Sequence, residues 1–354
     1  LAEQGAAVGA EEAGSQMFFS YDGKQAPEGY EVRIGKRRVE ISYSKSSGAF
    51  YALVALWQMY AGEERLAPGV FTEAPAFCGR GFMLDVSRGK TPLPETLEHL
   101  VNLLARMRYN QFQLYMEGFS FAYPSFPGLW KEESSLSPEE IRHLDVFCRE
   151  RSIELVPNHL GHMAPWLARE EYASLAECEE GFSYGGFTLP ATTLDPEDER
   201  SLALVMQMAD DLLSNVSSKR IHMGLDEPFE LGFGKCRGKA LGPVFCRYVS
   251  RLHGELAARG RQMMMWSDAL HRFGATELDL PEDILFLEWG YEKEHPFGER
   301  CGRLKEAGKR FYVCPGTSSW NTFTGMTDNM LLNIDHAISA AKSFGAEGVL
   351  LTDW

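Results

Sequence analysis

Two adjacent acids, Asp226 and Glu227, stand in the segment IHMGLDEPFE and have the residue types that acid–base chemistry needs. Neighbouring side chains of a regular strand point to opposite faces, so both acids reach one site only if the backbone turns there. Gly224 loosens the chain before the pair, and Pro228 favours an extended Glu227. Two carboxylates that lie close together repel each other, and this repulsion raises the pKa of one of them when the pair is removed from bulk water. The pair therefore favours a site with one protonated and one ionised carboxyl group over a solvated turn.

The acids belong to a series of short apolar runs, each separated from the next by a helical segment, that begins near residue 80. Eight such runs predict a (β/α)8 barrel over residues 75–354. A doubly wound open sheet is the alternative, but it has fewer strands and a glycine-rich phosphate turn, and no G-x-G-x-x-G follows the first run. The last run ends at Trp354, so we expect the helix that covers strand eight to be missing from this sequence.

A small α/β domain is predicted ahead of the barrel, over residues 1–74. The segment GYEVRIGKRRVEISYS alternates apolar and polar residues around Gly35, which indicates a hairpin. The next segment, SSGAFYALVALWQMYAG, predicts a helix that ends at Gly62. Residues 1–20 show no clear period and are left unassigned.

Catalytic residues of such barrels lie at the C-terminal ends of the strands. Four of the seven tryptophans follow predicted strands five to eight. Indole rings with a few polar groups suit a sugar, whose C–H faces stack on aromatics, although a tryptophan also commonly caps a core. The strand ends carry Arg88, Glu117, residues 158–162, Asp226, Glu227, Trp266, Asp268, Glu288, Trp289, Trp320, Asn321, Asp353 and Trp354.

Composition excludes some partners and indicates a compartment. The formal net charge of −15 and the lack of a Lys/Arg-rich block argue against nucleic acid and anionic membranes. The apolar runs are too short to span a bilayer. Seven scattered cysteines without a C-x-x-C pair favour a reducing, cytoplasmic compartment, while a start at Leu1 leaves export open. The oligomeric state is not indicated.

Several motifs together resemble one family. The segment IHMGLDE resembles the His/Asn-x-Gly-x-Asp-Glu signature of glycoside hydrolase family 20, the β-N-acetylhexosaminidases. RGFMLDVSR, VPNHLGH and MMWSD are similar to the first, third and fifth barrel strands of that family, in the same order. The resemblance runs from about residue 28 to residue 354 and includes the small α/β domain. The sequence looks like a divergent bacterial branch of that family.

The resemblance implies an exo-acting enzyme that removes terminal β-linked GlcNAc or GalNAc without metal or cofactor. Glu227 would protonate the glycosidic oxygen, and ionised Asp226 would orient the substrate's 2-acetamido group. The acetamide carbonyl oxygen would attack the anomeric carbon and form an oxazolinium ion, with net retention. Family 20 is a substrate-assisted exception to the usual pair of protein carboxylates.

The resemblance also implies the substrate-binding residues. Arg88 would hold hydroxyls of the sugar, and His162 would orient the catalytic pair. Trp320 and Asn321 stand where relatives commonly have a tyrosine and an aspartate. The full predicted binding set is Arg88, Glu117, His162, Trp266, Trp289, Trp320 and Trp354.

Three alternatives stay open at this point. The chain could be an inactive protein that binds N-acetylhexosamine. It could be a retaining glycosidase with a protein nucleophile, Glu288 or Glu117, opposite Glu227. A metal-dependent barrel hydrolase is disfavoured, since His159 and His162 are present but strand one reads LDVSR without a His-x-His pair.

Overall fold

The computed structural model describes residues 16–354 except 64, 160, 161, 185, 275–278 and 321. The chain divides into two compact units. One contains the residues up to Cys78 together with Leu103–Arg108, and the other contains Gly79–Asn102 and Tyr109–Trp354. The predicted domain boundary between residues 74 and 75 stays a prediction.

The smaller unit contains a four-stranded sheet with one long helix, α1 (Ser46–Glu63). Its strands are β1 (Gln16–Tyr21), β2 (Tyr30–Ile34), β3 (Arg38–Tyr43) and β4 (Gly69–Glu73), in the order β1-β3-β2-β4. Antiparallel pairing of β2 with β3 confirms the predicted hairpin. The sequence did not predict β1, which runs parallel to β3 at the sheet edge with every residue exposed. Because β1 buries nothing, it lacks the alternation that reveals a strand.

The larger unit is a closed barrel of eight parallel strands, which confirms the predicted fold. The strands are β5 (Gly79–Asp85), β6 (Gln111–Met116), β7 (Glu154–His159), β10 (Arg220–His222), β11 (Gln262–Trp266), β12 (Leu285–Trp289), β13 (Arg310–Cys314) and β14 (Gly348–Asp353). A short hairpin of β8 (Phe182–Tyr184) and β9 (Phe187–Leu189) lies in the connection between β7 and β10.

Helices alternate with the barrel strands, and some of them begin at a residue whose side chain caps the first turn. Ser137, for example, caps its helix in a capping box with Glu140. The helices are α2 (Pro94–Arg106), α3 (Pro138–Arg149), α4 (Ala164–Leu167), α5 (Glu170–Ala173), α6 (Glu199–Leu213), α7 (Leu241–Ala258), α8 (Asp268–Phe273), α9 (Phe297–Glu306) and α10 (Thr327–Phe344). None of the described helices is long and apolar enough to cross a membrane.

The barrel closes where β14 pairs with β5, and glycines make that closure possible. Gly348 pairs with Gly79, and the ring of Tyr312 lies against both. The Tyr312 hydroxyl accepts a hydrogen bond from Arg220 Nη1 at 3.1 Å. A Cβ on Gly348 would lie 2.7 Å from the carbonyl oxygen of Gly79 and equally close to the Tyr312 ring. The space that a side chain would need is therefore already filled.

We predict that Gly348→Ala lowers the free energy of unfolding by about 1–3 kcal/mol, because backbone and ring must both move. Gly254→Ala is the matched control, since Gly254 lies inside α7 and a Cβ there meets nothing within 4 Å. The control is expected to be neutral or stabilising by up to about 1 kcal/mol. Urea unfolding followed by tryptophan fluorescence measures both, and equal effects would contradict the account of the closure.

Candidate active site

The backbone between β10 and α7 turns sharply just after the strand ends at His222. Gly224, Leu225 and Glu227 all have positive φ angles, of 66°, 68° and 46°. Glu227 is therefore not extended, as Pro228 was expected to make it, because the turn determines its backbone. Such angles are unfavourable for residues with a side chain, by about 1–2 kcal/mol each. The turn lets both Asp226 and Glu227 line one pocket, which two neighbours on a regular strand would not do.

The pocket lies at the C-terminal ends of the barrel strands and has a volume of about 320 Å³. It brings together eight of the nine predicted site residues. Glu117 is the exception: it does not line this pocket, and its carboxylate accepts hydrogen bonds from Arg88 and Tyr115, which do. The eight residues are Arg88, His162, Asp226, Glu227, Trp266, Trp289, Trp320 and Trp354.

His162 faces both acids. Its Nε2 lies 3.4 Å from a carboxylate oxygen of Glu227 and 3.9 Å from one of Asp226. Contact with Glu227 raises the pKa of His162 to about 9, and the charge of Asp226 acts in the same direction against the effect of burial. At neutral pH the imidazole is therefore a cation between two acids.

Asp226 is the more buried of the two acids. Burial raises the pKa of Asp226 to about 7, while the charge of His162 opposes the shift. The Oδ1 atom of Asp226 is fully buried and has no hydrogen-bond partner among the described residues. A buried acceptor of this kind suits a ligand that donates a hydrogen bond.

Arg88 is held at the pocket wall by acids and aromatic rings. Its guanidinium is hydrogen-bonded to Asp85 and to Glu117, the latter at 3.3 Å. It also lies 5.3 Å from the ring centre of Trp354 and 5.5 Å from that of Tyr115. Burial alone would lower the pKa of Arg88, but the carboxylates of Glu117 and Asp85 raise it. The guanidinium of Arg88 is therefore charged and presents its N–H donors, arranged as a fork, at the wall of the pocket.

Aromatic rings form most of the remaining wall. Trp354 lies 6.2 Å from Trp266 between ring centres, and Tyr291 stacks on Trp289 at 5.2 Å and 29°. Trp320 meets Tyr291 edge-on at 5.1 Å. The buried indole N–H groups of Trp266 and Trp354 lack acceptors in the part of the chain that the structure describes. The wall thus offers flat apolar faces together with a few donors, as sugar sites do.

Comparison with known proteins decides the family. Residues 77–320 match the model of glycosyl hydrolase family 20, catalytic domain. The chain belongs to glycosyl hydrolase family 20.

Individual relatives agree with this family. A beta-hexosaminidase of Vibrio furnissii is 25% identical over 291 residues, which are 68% of this chain and 46% of that protein. The solved beta-N-acetylhexosaminidase of Bacteroides fragilis superposes with a TM-score of 0.74 at 19% identity, covering 98% of this chain and 75% of that one. An exo beta-N-acetylglucosaminidase of Vibrio harveyi, solved in complex with N-acetylglucosamine, gives a TM-score of 0.74 at 16% identity, covering 96% of this chain and 60% of that one. This chain spans less than half the length of the V. furnissii relative.

Sequence reasoning missed two pocket residues of this family 20 domain, Tyr115 and Tyr291. Each stands two positions from a residue that was selected, Tyr115 before Glu117 and Tyr291 after Trp289. Tyr115 lies one residue before the end of β6 and Tyr291 two residues after the end of β12, so closeness to a strand end was the available signal. Asn321, expected beside Trp320, lies outside the described residues.

Two further residues of the strand ends occupy supporting positions. Asp268 accepts a hydrogen bond from the backbone N–H of Glu227 at 2.8 Å and one from Trp289 Nε1 at 3.2 Å. Glu288 is fully buried and does not line the pocket. Glu288 is therefore badly placed to be the protein nucleophile that one alternative requires.

We predict that His162 titrates near pH 9 in the folded protein. Nuclear magnetic resonance of labelled imidazole groups measures this titration, and the His162→Gln variant identifies the His162 signal. Glu227→Gln should lower the pKa of His162 more than Asp226→Asn does, because contact with Glu227 is its largest cause. A His162 that titrates near the ordinary value of about 6.5 would contradict this electrostatic arrangement.

Proposed function

We propose that this chain is an exo-acting hydrolase of terminal β-linked N-acetylhexosamines whose nucleophile is the substrate's own acetamide oxygen. One observation carries the proposal: Asp226, whose buried Oδ1 has no hydrogen-bond partner among the described residues, lines the same pocket as Glu227. An acetamide N–H is a donor that would satisfy this atom. Adjacent acids suit a helper and an acid better than an opposed nucleophile and acid.

In the first step the acetamide carbonyl oxygen attacks the anomeric carbon as the glycosidic bond breaks. The leaving oxygen takes the electron pair of that bond and the proton of Glu227. Asp226 accepts the acetamide N–H, which directs the carbonyl toward the anomeric carbon and balances the positive charge of the oxazolinium ion.

In the second step the Glu227 carboxylate removes a proton from water as the water oxygen attacks the anomeric carbon. The bond to the acetamide oxygen breaks, which restores the acetamido group and the protonated Glu227. Two displacements at one carbon give net retention.

The mechanism needs an ionised Asp226, and the surroundings of this side chain determine its charge. Asp226, with a pKa of about 7, is partly protonated at neutral pH in the free protein. An acetamide N–H directed at its oxygen favours the ionised form, since a hydrogen bond to a carboxylate lowers its pKa. The His162 cation has the same effect on Asp226. Substrate binding therefore draws Asp226 into the charged state that the reaction uses.

The pocket wall fits a small carbohydrate as the binding partner. The Arg88 fork can donate to sugar hydroxyls, and the tryptophan faces can stack on the ring. The Vibrio harveyi neighbour in complex with N-acetylglucosamine supports a ligand of this class. A cytoplasmic location and the exclusion of nucleic-acid and membrane partners stay predictions.

We predict that the protein releases 4-nitrophenol from its β-GlcNAc and β-GalNAc glycosides but not from the β-glucoside, which lacks the acetamide. Asp226→Asn and Glu227→Gln should each lower kcat/KM by about 10²–10⁴-fold. Equal hydrolysis of the glucoside would refute the acetamide nucleophile. A folded protein that binds N-acetylglucosamine without turning over any glycoside would favour the inactive binding protein.

The pH dependence of kcat/KM should show the titration of Asp226. Since the ionised form is the active one, kcat/KM should fall about tenfold per pH unit as the pH drops below about 7. His162→Gln should move this limb to higher pH, because the cation that lowers the pKa of Asp226 is lost. The control is His143→Gln, because His143 is an exposed histidine on α3 that pairs with Glu98. This variant should leave the acidic limb of the pH profile in place. An unmoved limb in His162→Gln would contradict the coupling.

A further inference from the structure

Asp268 connects two parts of the pocket that come from different strands. It is the first residue of α8 and directly follows the Trp266-Ser267 pair at the end of β11. One carboxylate oxygen accepts the backbone N–H of Glu227, beyond β10, at 2.8 Å. The other accepts the indole N–H of Trp289, at the end of β12, at 3.2 Å. The side chain of Asp268 thus holds both the backbone of Glu227 and the indole ring of Trp289.

The bond to Glu227 restrains a backbone that would otherwise relax. Glu227 has a φ of 46°, in a region that residues with a side chain seldom adopt. Strained conformations persist only where the surroundings hold them. The N–H of Glu227 donates to Asp268, so the carboxylate of Asp268 holds the general acid in this conformation.

The position of Asp268 is itself fixed by a buried anchor on the neighbouring strand. Glu288 is fully buried, and its Oε2 lies 2.6 Å from both Ser267 Oγ and His271 Nε2, which flank Asp268 in the chain. Its Oε1 lies 3.2 Å from His295 Nε2. Burial would raise the pKa of Glu288, but the hydrogen bonds from His271 and His295 outweigh burial and lower the pKa to about 2. The anchor is therefore a charged carboxylate that holds the start of α8 at two points.

We propose that Asp268 is a positioning residue that aligns the Glu227 carboxyl with the glycosidic oxygen and ties it to Trp289, and that Glu288 holds Asp268 in place. This inference rests on the proposed function. Its consequence is specific to proton transfer. A displaced general acid slows the departure of a basic leaving group, whereas a weakly basic leaving group departs without a proton.

The test compares two substrates of the whole chain, phenyl and 2,4-dinitrophenyl β-N-acetylglucosaminide. Asp268→Asn keeps the shape of the side chain but has one acceptor oxygen in place of two. We expect Asp268→Asn to lower kcat/KM for the phenyl substrate by about 30-fold or more and for the dinitrophenyl substrate by less than about 3-fold. The ratio of the two values does not depend on the folded fraction, so partial unfolding would not imitate this result.

Asp145→Asn is the matched control. Asp145 is a buried acid on α3 that accepts the backbone N–H of Ser217 at 3.0 Å. It lies outside the pocket lining, so this variant should leave the ratio unchanged. Glu288→Gln should change the ratio in the same direction as Asp268→Asn but by a smaller factor, and an unchanged ratio would overturn the role of the anchor.

A second measurement needs no activity. The indole N–H resonance of Trp289, assigned through Trp289→Phe, should shift upfield in Asp268→Ala, which removes its acceptor, and not in Asp145→Asn. An unshifted resonance would overturn the tie to Trp289.

The outcomes separate this inference from the proposed function. Equal losses on both substrates in Asp268→Asn, with an active wild type, would overturn the role of Asp268 alone. A wild type inactive on both substrates would overturn the proposed function and, with it, any role of Asp268 in the reaction.

Discussion

The site depends on a left-handed turn directly after β10. Without the positive φ angles at Gly224, Leu225 and Glu227, the side chains of Asp226 and Glu227 would alternate across the strand, and one acid would leave the pocket. The turn is unfavourable for the two residues that carry side chains. It is stabilised from outside by the backbone hydrogen bond to Asp268. Two adjacent acids can act together here because the rest of the barrel holds an unfavourable backbone.

Two adjacent acids in one pocket repel each other, and the His162 cation beside them reduces this repulsion. Burial favours the neutral form of Asp226, and the imidazolium of His162 favours the charged form. Glu227 in turn keeps His162 protonated. With a pKa of about 7, Asp226 is thus close to half-ionised at neutral pH, and small changes in its surroundings change its charge.

The sequence predicted the barrel and most residues of the candidate pocket because both leave periodic or local signals. Alternating runs and helices revealed the eight strands, and residues at the strand ends, such as Arg88 and Trp354, meet in one pocket. The edge strand β1 left no signal, since none of its residues is buried. The placement of Glu117 could not be predicted either. Whether a residue at a strand end faces the ligand or supports a neighbour depends on side-chain contacts, here those of Glu117 with Arg88 and Tyr115. Asp268 was noticed as an acid at a strand end, but its two partners lie 41 and 21 positions away in the chain.

In the proposed reaction the substrate's acetamide oxygen, directed by Asp226, is the nucleophile. The most direct test measures kcat/KM for aryl β-glucosaminides whose N-acetyl group carries zero, one, two or three fluorine atoms. Fluorine withdraws electrons from the carbonyl oxygen and weakens it as a nucleophile, while the leaving group stays the same. We expect a steep, progressive fall in kcat/KM with each fluorine. A rate that does not depend on fluorination would show that the acetamide oxygen does not attack, and it would contradict the account.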